Sequence, residues 1–403
     1  MPRYSNVDIA IGERIRVRRQ LRGWSIRYAA SRSGLSHASW SRIERGLQAA
    51  DNRFVLAEIA AALECAPIDL TGVLVPAADQ RALAAQAGIR LLREALVSID
   101  LTEPGDPATP EQPDLRQRVL LAQDLRERCD YAATVVLLPG LLRHAHALAH
   151  GAARQEALRL LCQACFLASS VLRALGHPAE AWLAAERCRD AAATSGGAVL
   201  AGYAAFSRAS AAHSCGAFAR GRTLAEGAID LLERAPGRPG VAELIGTLHL
   251  SCGYAYRALR RGEESRDHMA AAVEFGQRTG ETKTLGLFFG PTNVNLWRIS
   301  LANDVERPGG AAEIAAETRP ELLGASMRIA DFHAELARAY ARLRGRENDA
   351  VRQLMVAERI APQHLHTSPM ARETARSLLG RLPSRSGVSA LRGLCGRMCV
   401  DVG

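Results

Sequence analysis

The chain has 403 residues, 51 basic against 42 acidic, and a formal net charge of +9, which implies two or three domains and ample apolar content for a core. Nearly all the positive charge is arginine, Lys283 being the only lysine, and an arginine- and alanine-rich composition makes net charge alone weak evidence for nucleic acid. Nine cysteines, several in apolar helical text (Cys129, Cys188, Cys215, Cys252), argue against a disulfide framework and for reduced thiols in a cytoplasmic protein; the N-terminus reads as no signal peptide, and no apolar run reaches the roughly 18 residues of a membrane helix.

A first helix starts near Asp8 and carries Ile11, Ile15 and Val17. Residues 1–75 hold eleven arginines against seven acids, so the small N-terminal segment is itself basic. Residues 25–46 read as two short helices joined by a tight turn. Ser25 is an N-cap, Ala29 and Ala30 permit close packing, and Gly34 supplies the positive φ of the turn. Leu35 staples the turn, and Ser36 caps a second helix that stops at Gly46. Trp40 points inward by spacing and reads as core. Phe54, Ile59 and Leu63 then form an apolar stripe, and Pro67 opens a last turn with Ile68 and Leu70. This is helix-turn-helix geometry, whose second helix fits a DNA major groove.

Residues 78–98 read as a connecting helix. Thr102 to Pro110, with Pro113, is the clearest break, and helical text follows to about residue 380. Within it, turn signals at Gly176, Gly216, Arg261, Asp304 to Gly310 and Arg344 recur every 40 to 45 residues or so, a spacing that suits stacked helical hairpins. His249-x-x-Cys252-Gly253-x-x-Tyr256 and His333-x-x-Leu336-Ala337-x-x-Tyr340 share one pattern of large, medium, small and aromatic residues. The second is followed by Ala350, Leu354, Ala357 and Pro362, and weaker copies surround Ala164 to Cys188 and Ala204 to Ala228. In residues 287–300 Trp297 takes the place of the small residue, so that repeat is expected to pack differently. The tail reads as loop to Gly387, then a short helix with Leu391 and Leu394.

Gly34-Leu-Ser36 followed by Ser41-Arg-Ile-Glu-Arg-Gly46, with residues 11–25 before it, resembles the XRE (lambda-repressor-like) helix-turn-helix family over about residues 8–75. Arg18 stands where that family usually has an aliphatic residue. The later helical pattern resembles tetratricopeptide (TPR) repeats, and the whole plan resembles the XRE-TPR regulators of Gram-positive bacteria, some of which sense peptides in the groove of the solenoid. The expected fold is therefore all-α: a five-helix helix-turn-helix domain (8–75), a connecting helix and linker (76–112), an α-solenoid of TPR-like hairpins (113–380) and a C-terminal tail (381–403).

Matching the family position by position assigns base-edge contacts to His37, Ala38 and Arg42, with Ser36 and Ser39 reaching phosphate or base. Arg42 is the strongest reader, since a guanidinium bonds guanine bidentately; the competing role is an ion pair with Glu44 or a neighbour. Arg27, Arg32 and Arg53 are phosphate candidates or simply solvated arginines. In the solenoid, Tyr254, Arg257, Arg298, Asp331, Arg338 and Arg342 take inner-face positions. Several arginines in one groove suit a carboxylate or an acidic peptide, the alternative being an ordinary polar wall. Asn293 and Asn295 resemble asparagines that hold a peptide backbone, or else cap a helix; His249 and His333 read as packing residues. His146 with His150 and Cys162 with Cys165 lack a second pair at ligand spacing, so neither metal nor cofactor is expected, and no catalytic motif is present. The expected partners are an inverted-repeat operator in double-stranded DNA, a peptide or small acidic ligand, and a second copy of the chain, with no membrane. The competing reading is a protein-interaction scaffold carried to DNA by the small domain.

Overall fold

The structure is a computed structural model, and it describes residues 10–72, 79–104, 114–381 and 385–400. Among the described residues the secondary structure is helical throughout, with no strand. Its residues fall into two units. One comprises the described parts of Met1–Asp79, Asn295–Pro320 and Met327–Gly403; the other comprises those of Gln80–Val294 and Glu321–Ser326. The first unit thus joins the N-terminal helices to the last hairpins, a grouping the 76–112 and 113–380 boundaries do not anticipate.

The first unit begins with α1 (Ile11–Leu21), α2 (Ile26–Ser33), α3 (His37–Glu44), α4 (Arg53–Ala62) and α5 (Pro67–Thr71). Local chemistry sets their ends. The Ser25 side chain accepts from the Tyr28 N–H, the Ser36 side chain from Ser39, and the Asn52 side chain from Phe54 and Val55. Gly34 closes α2 at φ 74°. Gly12 lets α1 lie on the end of α3, since a Cβ there would sit 2.1 Å from the Ile43 carbonyl oxygen. Ile11, Ile15, Ala29, Ala30, Trp40, Ile43, Leu56, Ile59, Leu63 and Leu70 share one buried core. Val17 is 44% exposed instead: two residues beyond Ile15 it has rotated about 200° off the buried stripe. Arg19, a full turn beyond Ile15, takes the inner position.

The second unit contains α6 (Gln80–Val97), α7 (Leu115–Glu127), α8 (Tyr131–Leu148), α9 (Arg154–Ala174), α10 (Pro178–Ser195), α11 (Ala198–Ser214), α12 (Phe218–Glu233), α13 (Val241–Ala258) and α14 (Gly262–Thr279). From α8 on, each helix packs on its sequence neighbour. The expected connecting helix is α6. It lies along α8 and buries Ala85, Ile89, Leu92 and Leu96, so it is part of this unit rather than a linker. The break at residues 105–113 lies outside the described residues. Contrary to expectation, α9 is long and apolar enough to cross a membrane by length and composition, but 78% of its most apolar 18-residue stretch is buried inside the molecule. It touches α7, α8, α10 and α11, which explains an apolar character on almost every side.

The chain ends with α15 (Pro291–Asp304), whose residues from Asn295 belong to the first unit, then α16 (Pro308–Ala316), α17 (Ser326–Arg342), α18 (Glu347–Ile360), α19 (Pro362–Thr367), α20 (Pro369–Leu379) and α21 (Arg385–Arg397). The last helix starts earlier than expected and buries Leu391 and Leu394. Residues 382–384 lie outside the described residues.

Candidate nucleic-acid interface

α3 has two unlike faces. Trp40, Ile43 and Glu44 are buried, while His37, Ala38 and Arg42 are exposed and Ser39 is half-buried. The buried face is fixed by one carboxylate. Glu44 Oε1 and Oε2 accept from Arg19 Nε and an Arg19 guanidinium nitrogen at 2.7 and 2.8 Å, and Oε1 also accepts the Trp40 indole N–H. Arg19 further donates to the Trp24 carbonyl at 2.7 Å. A buried indole needs such an acceptor, and a bidentate guanidinium neutralises the carboxylate that provides it. Glu44 therefore does not hold Arg42, which leans on Ser39 and Gln48 at 3.5 and 3.3 Å. Arg18, the departure from the family pattern, is accommodated at the surface 3.3 Å from Asp69.

Residues 10–71 match a family model described as a helix-turn-helix domain. The N-terminal segment is a helix-turn-helix domain. No curated protein matches the chain. Among solved structures it is similar to Bacillus thuringiensis PlcR, crystallised with the peptide PapR7 and DNA, at 17% identity over 67% of this chain and 95% of that one, with a TM-score of 0.33.

On the helix-turn-helix domain, Arg27 and Ser36 are exposed at the starts of α2 and α3. Ser36 also caps α3, so its hydroxyl is already engaged. Arg32 is exposed, pairs with Glu64 at 3.1 Å and stacks 4.9 Å from the Trp24 ring centroid. Arg53 corrects the sequence reading as a phosphate contact: its guanidinium pairs with Asp304 at 3.0 Å and with Glu335, and donates to Ser300 at 2.9 Å.

Arg53 is one part of a joint inside the first unit. Arg338, 1% exposed, donates to the Asp51 carbonyl and Asp304 Oδ1, each at 2.6 Å, to Glu335 at 3.0 Å and to the Ser300 carbonyl at 3.2 Å. Arg342 donates to the Asn303 carbonyl at 2.6 Å and to Asp51 Oδ1 at 2.5 Å. Asn52, while capping α4, donates to the Asp304 carbonyl at 2.9 Å. Three arginines thus face three carboxylates, and the charges balance. Burial disfavours both members of the central pair. Even so, Arg338 and Arg53 hold the Glu335 carboxyl below its ordinary value, and Glu335 and Asp304 raise Arg338. Arg338 is therefore wholly engaged, and Arg342 partly so, in fastening the helix-turn-helix domain to α15 and α17, which departs from the groove-ligand role the sequence reading gives them.

The other groove candidates are dispersed. Tyr254, Arg257 and Asn293 belong to the second unit, Arg298 and Asp331 to the first. The Tyr254 ring lies 5.5 Å from His213 and 6.0 Å from Phe218. Asn293 is buried, and its Oδ1 has no hydrogen-bond partner among the described residues. Arg298 is exposed and donates to Asn295 at 2.9 Å, and Asp331 bonds His364 at 2.6 Å. Among the described residues no group of three or more His, Cys, Asp or Glu is placed to hold a metal ion.

The sequence reading missed Arg19, Asp51, Asp304 and Glu335. Only Arg19 had a signal, since it continues the Ile11 and Ile15 stripe at helical spacing.

Proposed function

We propose that the chain is a sequence-specific DNA-binding transcriptional regulator of the XRE type. The observation that carries this reading is the division of α3. Its inner face is locked by the Trp40–Glu44–Arg19 set, which leaves His37, Ala38, Ser39 and Arg42 on a rigid helix of the right size for a major groove. Ser36, Arg27 and Arg32 flank it as phosphate contacts. The test is Arg42→Ala in anisotropy titrations on a selected duplex and a scrambled one. Base contacts specify and phosphate contacts position, so specific binding should fall while weak, salt-sensitive binding to the scrambled duplex survives. Equal loss on both would show that Arg42 is not a reader.

The regulator acts as a homodimer on an inverted repeat, because one such domain has a short footprint and two half-sites lie about 34 Å apart. Exposed Leu91, Val97, Leu120, Leu121 and Val136 on α6, α7 and α8 favour the second unit as the dimer surface. Light scattering of the full chain should report a dimer, and Val136→Arg with Leu120→Arg should give a monomer. Sensing of a peptide or small acid by Tyr254, Arg257 and Asn293 is supported by the aromatic cluster around Tyr254 and the unpartnered Asn293 oxygen. Tyr254→Ala combined with Asn293→Ala should leave DNA affinity intact and remove any ligand response; an unchanged response removes this reading.

A further inference from the structure

Lined by the loop that follows α3 and by residues of α4, α17 and α20, the first unit holds a cavity of about 400 Å³, within the range of small-molecule sites, roughly 300–1,000 Å³. Its apolar lining includes Val55, Leu56 and Ile59 of α4, with Pro308 and Ala341. Four charged residues line it: Asp51, Glu306, Arg342 and Arg381. Asp51 and Arg342 neutralise each other. The other two are not spent in that way. Among the described residues, Arg381 is exposed and donates only to the carbonyl and hydroxyl oxygens of Ser377, at 3.1 and 3.0 Å, and Glu306 is exposed with no ion pair. The cavity therefore offers one open cation, one open anion and an apolar wall.

That set selects an occupant by charge. A fatty acid answers only Arg381 and leaves Glu306 open; an amine does the reverse. A compact zwitterion satisfies both. Another lining residue, Gln48, accepts a hydrogen bond from Arg42 Nε at 3.3 Å, and the backbone N–H groups of Leu47 and Gln48 both donate to the Arg42 carbonyl. The loop that closes the cavity is thus the loop that holds the strongest base reader.

We propose that this cavity binds a small apolar zwitterion, a free α-amino acid such as leucine or phenylalanine, with its carboxylate on Arg381, its ammonium on Glu306 and its side chain against Val55 and Leu56. Through Gln48 the occupant sets the position of Arg42; this second half rests on the DNA-reading function proposed above, and the first half does not. The experiment is calorimetric titration of the full chain, without DNA, with L-leucine and L-phenylalanine. The controls are 4-methylpentanoate, which lacks the ammonium, and leucinol, which lacks the carboxylate. At least one amino acid should bind, with both controls weaker by about tenfold or more. Glu306→Gln and Arg381→Gln, surface changes that the fold tolerates, should each weaken amino-acid binding by a similar factor, and Val55→Trp should abolish it by filling the cavity. No heat from either amino acid up to about 10 mM, equal binding of a control, or unchanged binding by Glu306→Gln and Arg381→Gln would overturn the site. Amino-acid binding with unaltered duplex affinity would overturn the link to Arg42 alone.

Discussion

The layers of α8 to α14 and the seat of the helix-turn-helix domain are held together in opposite ways. In the layers, alanine, cysteine and leucine interlock: α9 alone buries Leu158, Leu161, Cys162, Ala164, Cys165 and Ala168. Thiols pass there as small hydrophobes, and burial raises those of Cys165 and Cys188 well above their ordinary range. At the seat, Asp51, Asn52 and Arg53 meet Asp304, Glu335, Arg338 and Arg342, and almost every contact is a charge-assisted hydrogen bond. Apolar layers tolerate small shifts, because their energy follows area. A buried charge network holds one geometry, because any displacement leaves a desolvated charge unpaired. For a domain whose bearing must be fixed, the second kind of contact is the more exact.

The largest effect should come from breaking that network. Arg338→Met leaves Asp304 and Glu335 sharing Arg53 alone, three carboxylates against two arginines, and unfolding in denaturant should show a loss of about 3–5 kcal/mol. Adding Glu335→Leu leaves two arginines facing two carboxylates and should recover at least half of the loss. In the apolar layers no such rescue exists: Leu161→Ala and Leu172→Ala, both fully buried, should each cost about 2–5 kcal/mol, with no recovery on combining them. A double mutant at the seat no better than Arg338→Met alone would show that the network is not what holds the domain.

A smaller effect tests the inner face of α3. Trp40→Phe keeps an aromatic ring but removes the donor to Glu44, so it should cost about 1–3 kcal/mol. Arg19 still neutralises the carboxylate, so the mutant should fold and bind DNA with its preference intact. Loss of preference without loss of stability would mean that Trp40 orients α3 in a way these contacts do not explain.

The smallest effect lies in the second unit. His213 stacks on Phe218 with its Nε2 buried and without a hydrogen-bond partner among the described residues, and burial together with Arg173 pushes its pKa down to about 3. Because that value lies below the ordinary 6.5, the unfolded chain takes up the proton first, and stability falls as pH drops from about 6.5 toward 3. His213→Phe removes this contribution, so melting temperature should fall less steeply between pH 7 and pH 5. His249, lowered to about 4, keeps part of the slope. An unchanged slope would show that His213 does not titrate on unfolding.

The same contrast explains what the sequence discloses. The caps at Ser25 and Ser36, the turn at Gly34, the inward Trp40 and the hairpin turns are local: each needs only neighbours a few residues away. The apolar layers are legible too, because burial repeats with helical period. The seat is not. Arg53 finds Asp304 and Glu335 some 250 and 280 residues later, and nothing in the spacing around Arg338 separates a groove-lining arginine from one spent on a distant domain. Arg338 and Arg342 lie on the expected face of α17; that face is occupied by the helix-turn-helix domain.

The central claim is that α3 reads DNA sequence from a domain fixed in place by charge. It is tested most directly by titrating the intact chain against its best selected duplex and a scrambled duplex of equal length over a range of salt. The account predicts a preference of about 10³-fold or more for the selected duplex, persisting as affinity for both falls with salt. Equal affinity for the two duplexes at every salt concentration would contradict it.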